Sequence, residues 1–342
     1  MKQLSQPSDL NYKERKVCLA IGMFDGVHLG HQQVLRQAVL AASQNNSISV
    51  AITFNQHPAN IISPGQTPAI IQTQAQRIRT IESLGIEAIL IIKFDQDFSL
   101  KTGESFIQEL SQGFGSIHSI CVGKDFMFGH KRDGDFKSLQ RLGQKLGFIS
   151  YGLPSVMLDG KKISSTRIRT ALHEGKLDEA KKMLGRKFSI EGLVIKGDGK
   201  GREIGFPTAN LDSKGLILPP NGVYAAHARL NGKSFKSVVN IGIRPTINKT
   251  SSLLQVETHL LEFNNEVYGQ VIEIEFISRL RDEILFNSIA ELKKQEYLQS
   301  VELLKKLIQE KGTKSDLTRI LAIGLLIETT DFLNIPPDKK KM

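Results

Sequence analysis

The pattern of apolar residues changes near Phe188, and this change limits the chain to two different kinds of folding unit. Before it, four runs are apolar without alternation: VCLAIG (17–22), SVAITF (49–54), AILIIKF (88–94) and SICVG (119–123). A strand that is apolar on both faces has to be covered on both faces, which is the situation of a parallel sheet between two helical layers. Between the first two runs, HQQVLRQAVLAASQ repeats Val34, Leu35, Ala38, Val39 and Ala42 at helical spacing, and SSTRIRTALHEGKLDEAKKMLG, around 163–184, reads as helical pieces. The expected first unit is therefore an α/β domain with a doubly wound parallel sheet.

After Phe188 the segments 188–196, 223–230, 235–241, 253–261 and 271–277 read as strands. In VIEIEF, Val271, Ile272, Ile274 and Phe276 are interrupted by Glu273 and Glu275, and Asn231-Gly232 is a hairpin signal. This is the pattern of an antiparallel β-barrel. A closing helix is expected at about 287–311, where Val301, Leu304, Leu307 and Ile308 share a face. With 342 residues two domains are expected, and the boundary falls near Gly185: 1–184, then 185–312, with 313–342 as a C-terminal extension.

The formal charge of +10 raises a nucleic-acid reading, but acidic residues are interspersed throughout and the only compact basic cluster is the terminal DKKKM. Small phosphorylated ligands explain the balance equally well, so no nucleic-acid partner is expected. Cys18 and Cys121 sit apart inside strand-like runs and read as buried thiols. The first residues lack an apolar signal region, and the longest apolar run, ILAIGLLI at 320–327, is far below the roughly 18 residues of a membrane span. A cytoplasmic protein without membrane partners is expected.

Directly behind the first apolar run stands IGMFDGVHLGH (21–31). A metal, a catalytic pair or a tight glycine turn would each use such a cluster. Two histidines make only half a zinc site, and no companion Cys or His has suitable spacing. The cluster opens the first helix at the carboxyl end of a parallel strand, where free N–H groups favour a phosphate. Gly22, Gly26 and Gly30 would let the backbone come close to it, with His28 and His31 as donors. ISSTRIR (163–169) adds Ser164, Ser165 and Thr166 with Arg167 and Arg169, more than the single hydroxyl that a helix cap needs.

GMFDGVHLGH with ISSTRIR resembles the HxGH nucleotidyltransferases, specifically the adenylyltransferase half of the bifunctional riboflavin kinase/FMN adenylyltransferase family. TFNQHP (53–58) and VGKDFMFGHKRDGD (122–135) fall where that family carries similar segments. The resemblance implies that Gly22, Phe24, Asp25, His28 and His31 meet the ATP phosphates. It also implies that Ser164, Thr166 and Arg169 hold the β- and γ-phosphates, and that Asp125 lies near the flavin. The reaction implied is attack of the FMN phosphate on the α-phosphorus of ATP, with loss of pyrophosphate.

In the second half, GDGKGREIGFPTAN (197–210) is glycine-rich but contains no GxGxxG, and the separate Gly232-Lys233-Ser234 is no Walker loop, because His227 stands where that loop needs glycine. Thr208 and Asn210 offer hard oxygen donors suited to Mg²⁺ travelling with ATP. Glu257, in LLQVETHLLEF, lies on a strand whose alternation is expected to place its carboxylate in the barrel mouth, where it would take a proton from a hydroxyl. With LPPNGVY, VVNIGIRPT and RLRDEILF, these segments resemble the riboflavin kinase half of the same family. That resemblance implies an ATP-wrapping loop with Gly197, Gly199, Gly201 and Gly205, Mg²⁺ on Thr208 and Asn210, Glu257 as general base, and Arg281 in the flavin site. ATP, riboflavin and FMN are the implied substrates. A related nucleotidyltransferase of another substrate class would share the first motif but leave the second domain unexplained, and a flavin- or nucleic-acid-binding module would release no pyrophosphate.

Overall fold

The computed structural model describes residues 1–10, 15–196, 208–244, 253–261, 263 and 265–282. Two units are distinguished, Met1–Glu191 with Lys214–Pro219, and Gly192–Ser213 with the chain from Pro220 onward.

In the first unit, β1 (Lys2–Leu4), β2 (Val17–Ile21), β3 (Ile48–Phe54), β4 (Ala88–Ile92), β5 (Ile117–Gly123) and β6 (Ile149–Leu153) form one sheet in the order β1-β4-β3-β2-β5-β6. Every pairing in it is parallel. The helices are α1 (Leu29–Gln44), α2 (Ala59–Ile62), α3 (Gln74–Glu82), α4 (Gln96–Ser99), α5 (Gly103–Phe114), α6 (Phe136–Leu146), α7 (Ser165–His173) and α8 (Leu177–Leu184). A short ribbon, β7 (Met157–Leu158) with β8 (Lys161–Lys162), precedes α7.

Successive residues of the central strands serve different layers, as a period of two requires. Leu19, Ile21, Val50 and Ile52 pack in one core with Phe106, Ile107 and Leu110 of α5 and Leu139 and Leu142 of α6. Ala20, Ala51 and Ile89 pack in the other with Val34, Leu35 and Ala38 of α1 and Ile81 of α3. The doubly wound expectation therefore holds. The sequence pattern misses β1 and β6, both edge strands. In KQL only Leu4 is buried, and ISYGL is nowhere fully buried, so neither carries the continuous apolar signature of the four inner strands.

Strand order reverses between β2 and β5, so the connections leaving their carboxyl ends run to opposite faces of the sheet, the arrangement that makes a crevice at a switch point. The loop from β2 to α1 opens there.

The second unit is a closed barrel, β10-β13-β12-β11-β14-β9, built from β9 (Ser189–Ile195), β10 (Ala209–Leu211), β11 (Gly222–Leu230), β12 (Lys233–Arg244), β13 (Leu253–Leu260) and β14 (Val271–Arg281). Tyr224, Ala226, Val239, Ile241, Val256, Thr258, Ile274 and Phe276 are buried inside it. Asn231 and Gly232 join β11 to β12 with both φ values positive, 50° and 77°, the geometry that the Asn-Gly pair foretells. The expected helix at 287–311 and the extension 313–342 lie outside the described residues, as do Gly197, Gly199, Gly201 and Gly205.

A Cβ on Gly232 would meet nothing within 4 Å, so substitution there tests backbone conformation alone. Gly232→Ala is expected to lower stability by about 1–2 kcal/mol in denaturant titration, with the catalytic rates unchanged.

Candidate active sites

The loop between β2 and α1 turns through three positive φ angles, Phe24 at 51°, Gly26 at 79° and Val27 at 37°. Two of these belong to residues with a Cβ, for which this conformation is costly. Hydrogen bonds to the loop carbonyls hold it. Met23 O accepts from Arg77 Nη1 at 3.0 Å and from Thr53 Oγ1 at 3.0 Å. Asp25 O accepts from Ser165 Oγ at 2.9 Å, and Gly26 O from Arg186 Nη2 at 2.7 Å. Val27 O accepts from Gln32 Nε2 at 3.0 Å and Arg186 Nη1 at 3.3 Å. The loop thus has its negative dipole ends tied to donors from β3, α1, α3, α7 and the segment after α8. The N–H groups of Leu29 and Gly30, at the start of α1, have no acceptor within the helix and are available to an anion.

His28 is the N-cap of α1, and its Nδ1 accepts the N–H of His31 at 3.3 Å. Since Nδ1 is the acceptor, the proton of the neutral ring sits on Nε2, which makes Nε2–H the donor for a ligand. Gly30 permits this fold-back, because a Cβ there would lie 3.1 Å from His28 Cε1. The two imidazoles stack with centroids 3.6 Å apart and an angle of 16°. Burial pushes His28 down to about 4, helped by the positive charges of Lys162 and Arg186. Burial likewise holds His31 well below 6.5, and the neighbouring His28 and Arg77 act in the same direction. Both rings are therefore neutral donors at physiological pH. Phe24, itself almost wholly buried, meets His31 edge-on at 5.4 Å, and Gly22 leaves room for the Phe24 ring, which a Cβ would approach to 2.8 Å.

Asp25 and Arg169 form a buried pair at 2.5 Å. Asp25 Oδ1 also accepts the N–H of Ile71 at 3.0 Å, and Arg169 Nε donates to Ala69 O at 2.6 Å. The carboxylate thus ties the loop to α7 and to the segment before α3. Ser164 caps α7 by accepting the N–H of Arg167 at 3.2 Å, whereas Thr166 is exposed at the second position of the helix. Arg167 is spent on Leu158 O, Lys161 O and Glu179. Asp125, after β5, is exposed and accepts from Lys162 Nζ at 2.6 Å and Ser155 Oγ at 3.1 Å; these contacts hold its carboxyl below the usual range.

On the barrel, strand register lines up five residues. Asn210 of β10 lies opposite Glu257 of β13, and Glu257 opposite Asn240 of β12. Asn240 lies opposite Val223 of β11, which is opposite Arg281 of β14. At about 4.8 Å per strand the steps from Glu257 to Arg281 span about 14 Å, the scale of a small ligand. The expectation that Glu257 points into the barrel mouth is corrected. Val256 and Thr258 are buried in the interior, so alternation turns Glu257 to the outer surface of the wall. Thr208 directly precedes β10 and is half-buried, and Asn210 Oδ1 accepts from Gln255 Nε2.

Two sites of this kind, one at the switch point of a parallel sheet and one on a barrel wall, define a nucleotide-dependent group transferase with two catalytic domains. Residues 10–167 match the family model described as FAD synthetase, and residues 184–305 match that described as riboflavin kinase. Bifunctional riboflavin kinase/FMN adenylyltransferase of Haemophilus influenzae is 39% identical over 278 residues, 81% of this chain and 90% of that protein. The Bacillus subtilis protein of the same description is 38% identical over 297 residues, 85% and 93% of the two chains. A crystal structure described as a macrolide-efflux protein from Streptococcus pneumoniae superposes with a TM-score of 0.75 at 27% identity, covering 87% of this chain and 96% of that one. The chain belongs to the bifunctional riboflavin kinase/FMN adenylyltransferase family. Its activities are riboflavin kinase and FMN adenylyltransferase, which together produce FAD. Among the described residues no helix is long and apolar enough to cross a membrane.

Sequence reasoning misses Arg77, Arg186 and Gln32. Arg77 is 4% exposed, and its Nη2 also donates to Phe54 O at 2.6 Å. Its only signal is an arginine on the buried face of an amphipathic helix. Arg77→Met is expected to cost about 2–4 kcal/mol in chemical denaturation, since it strips donors from two carbonyls at the carboxyl ends of β2 and β3. It is also expected to slow FAD formation while FMN still forms from riboflavin.

A folded-state value of about 4 for His28 lies below the ordinary 6.5, so the stability that its neutral ring contributes is complete above 6.5 and is lost as pH falls toward 4. A histidine Cε1–H titration of the ligand-free protein is expected to show a midpoint near 4 for His28, and the unfolding free energy is expected to decline across that same window.

Proposed function

We propose that the two activities divide between the β2–α1 loop and the barrel wall, with the FMN adenylyltransferase in residues 1–184 and the kinase in 185–312. At the loop, the N–H groups of Leu29 and Gly30 and the Nε2–H of His28 receive phosphate oxygens of ATP, and His31 assists. Arg169, held by Asp25, and Ser164 and Thr166 face the β- and γ-phosphates. The FMN phosphate, near Asp125, attacks the α-phosphorus, the α–β bridging bond breaks and pyrophosphate leaves. Positioning and charge stabilisation suffice for such a transfer, without an enzyme nucleophile. The observation that carries this reading is the set of loop carbonyls tied back by Arg77, Arg186, Gln32 and Ser165, which leaves donors at the front of the loop.

At the barrel, Glu257 takes the proton of the riboflavin 5′-hydroxyl, whose oxygen forms the new bond to the γ-phosphorus as ADP leaves. Arg281, on the same register row, serves the flavin. The donor chemistry on the wall fits magnesium carried by ATP. Thr208 and Asn210 offer neutral hard oxygens, and Asn210 Oδ1 retains one lone pair beyond its bond to Gln255. These two residues would hold the ion, which supplies charge neutralisation at the phosphates.

The test uses the full chain with riboflavin or FMN and Mg-ATP, followed by chromatography. His31→Ala is expected to slow FAD formation by about 10²–10³-fold while FMN accumulates. Glu257→Ala is expected to abolish FMN formation while supplied FMN is still converted to FAD. Loss of both activities from either change, in a protein that remains folded, would contradict the division.

A further inference from the structure

The register row on the barrel contains one polar residue to which the proposed mechanism gives no task. Asn240 stands between Glu257 and Val223 on adjacent strands. Its neighbours Val239 and Ile241 are both fully buried inside the barrel, so Asn240 projects from the same outer surface as Glu257. The Oδ1 of Asn240 is buried and has no hydrogen-bond donor. Such an acceptor is costly to leave unmade, and buried polar atoms without a partner are the exception in folded proteins.

The directly opposed side chains do not provide a donor. Glu257 carries a carboxylate, which accepts, and Val223 is apolar; across Glu257, the carboxamide oxygen of Asn210 is already taken by Gln255. Backbone N–H groups here are spent on the strand ladders. Among the described residues no donor reaches this oxygen, so a bound molecule can supply one.

Directly opposed residues in an antiparallel pair have their Cβ atoms about 4.5–5.5 Å apart. Two acceptors at that spacing suit two neighbouring hydroxyls on one chain, each donating to one of them. Riboflavin brings such a chain, its ribityl group, and the mechanism places the terminal 5′-hydroxyl at Glu257. We infer that Asn240 Oδ1 accepts a hydrogen bond from the ribityl hydroxyl adjacent to the one phosphorylated, and so selects flavins that carry a polyol side chain. This inference rests on the reading of Glu257 as the base of the kinase site. Asn240 fixes the polyol so that the 5′-oxygen is presented to the γ-phosphorus. A site built to receive a hydroxyl discriminates strongly against a substrate lacking it, because its own buried acceptor then stays unpaired.

The test compares kcat/KM for riboflavin and for 4′-deoxyriboflavin in the full chain with Mg-ATP. The unmodified protein is expected to prefer riboflavin by about 10-fold or more. Asn240→Ala is expected to reduce kcat/KM for riboflavin by about 10-fold, bring the preference to within about 2-fold, and leave conversion of supplied FMN to FAD unchanged. Asn240→Asp keeps an acceptor and adds a charge beside Glu257. It is expected to retain the preference and to move the acid limb of the kinase pH profile upward, which keeps the inference testable if the alanine variant fails to fold. Equal rates with both flavins in the unmodified protein, or an undiminished preference in Asn240→Ala, would overturn the inference while FMN formation upholds the kinase reading. A raised Mg²⁺ requirement in Asn240→Ala with the preference intact would assign the oxygen to the cation, and would overturn it too. Failure of the unmodified protein to make FMN at all would overturn both.

Discussion

The first catalytic unit depends on where a few carbonyl groups point. For the proposed role, a loop receiving a polyphosphate at the end of a parallel strand must turn its negative dipole ends away from the ligand. Here that is done by donors reaching in from behind, chiefly the guanidinium groups of Arg77 and Arg186, with Gln32, Thr53 and Ser165 completing the set. The positive φ values of Phe24 and Val27 are the conformational cost of that arrangement. Because the donors arise from β3, α1, α3, α7 and the segment after α8, elements distant in sequence have to pack correctly before the loop is competent.

The histidines follow from the same constraint. With the loop turned back, the helix start is close enough for His28 to fold over it and accept the His31 N–H, which fixes the tautomer of His28. Stacked and buried, both rings are kept neutral. Each is then a hydrogen-bond donor that stays neutral near physiological pH. The barrel solves a related problem by different means. It has no helix start to offer, so it collects its polar groups by strand register, and alternation sets them on the wall while apolar partners fill the interior.

Much of this was legible in the sequence, for identifiable reasons. The four inner strands declared themselves because burial on both faces leaves them predominantly apolar, and the Asn231-Gly232 turn because few other pairs accept two positive φ angles. The edge strands did not, since edges are only half covered. The HxGH and ISSTRIR motifs open α1 and α7, where the candidate site was expected, whereas Arg77 gave only the faint signal of an arginine on the buried face of an amphipathic helix and Arg186 gave none. Asp25 and Arg169 were both assigned to ATP from the resemblance; the structure pairs them with each other, a relation between residues 144 positions apart that no local pattern encodes. Glu257 was found on its strand but assigned to the wrong side of the wall. Alternation alone leaves two choices of face, and the interior is identified only when Val256 and Thr258 are seen inside it.

Phosphate is proposed to be received by the front of the β2–α1 loop. Backbone amide shifts of the isotopically labelled protein, followed during titration with a non-hydrolysable ATP analogue in the absence of flavin, measure this. The predicted result is that the largest perturbations of the first unit fall on the N–H groups of Leu29, Gly30 and the residues around Ser164. Saturating shifts confined to the barrel, with those amides unmoved, would contradict it.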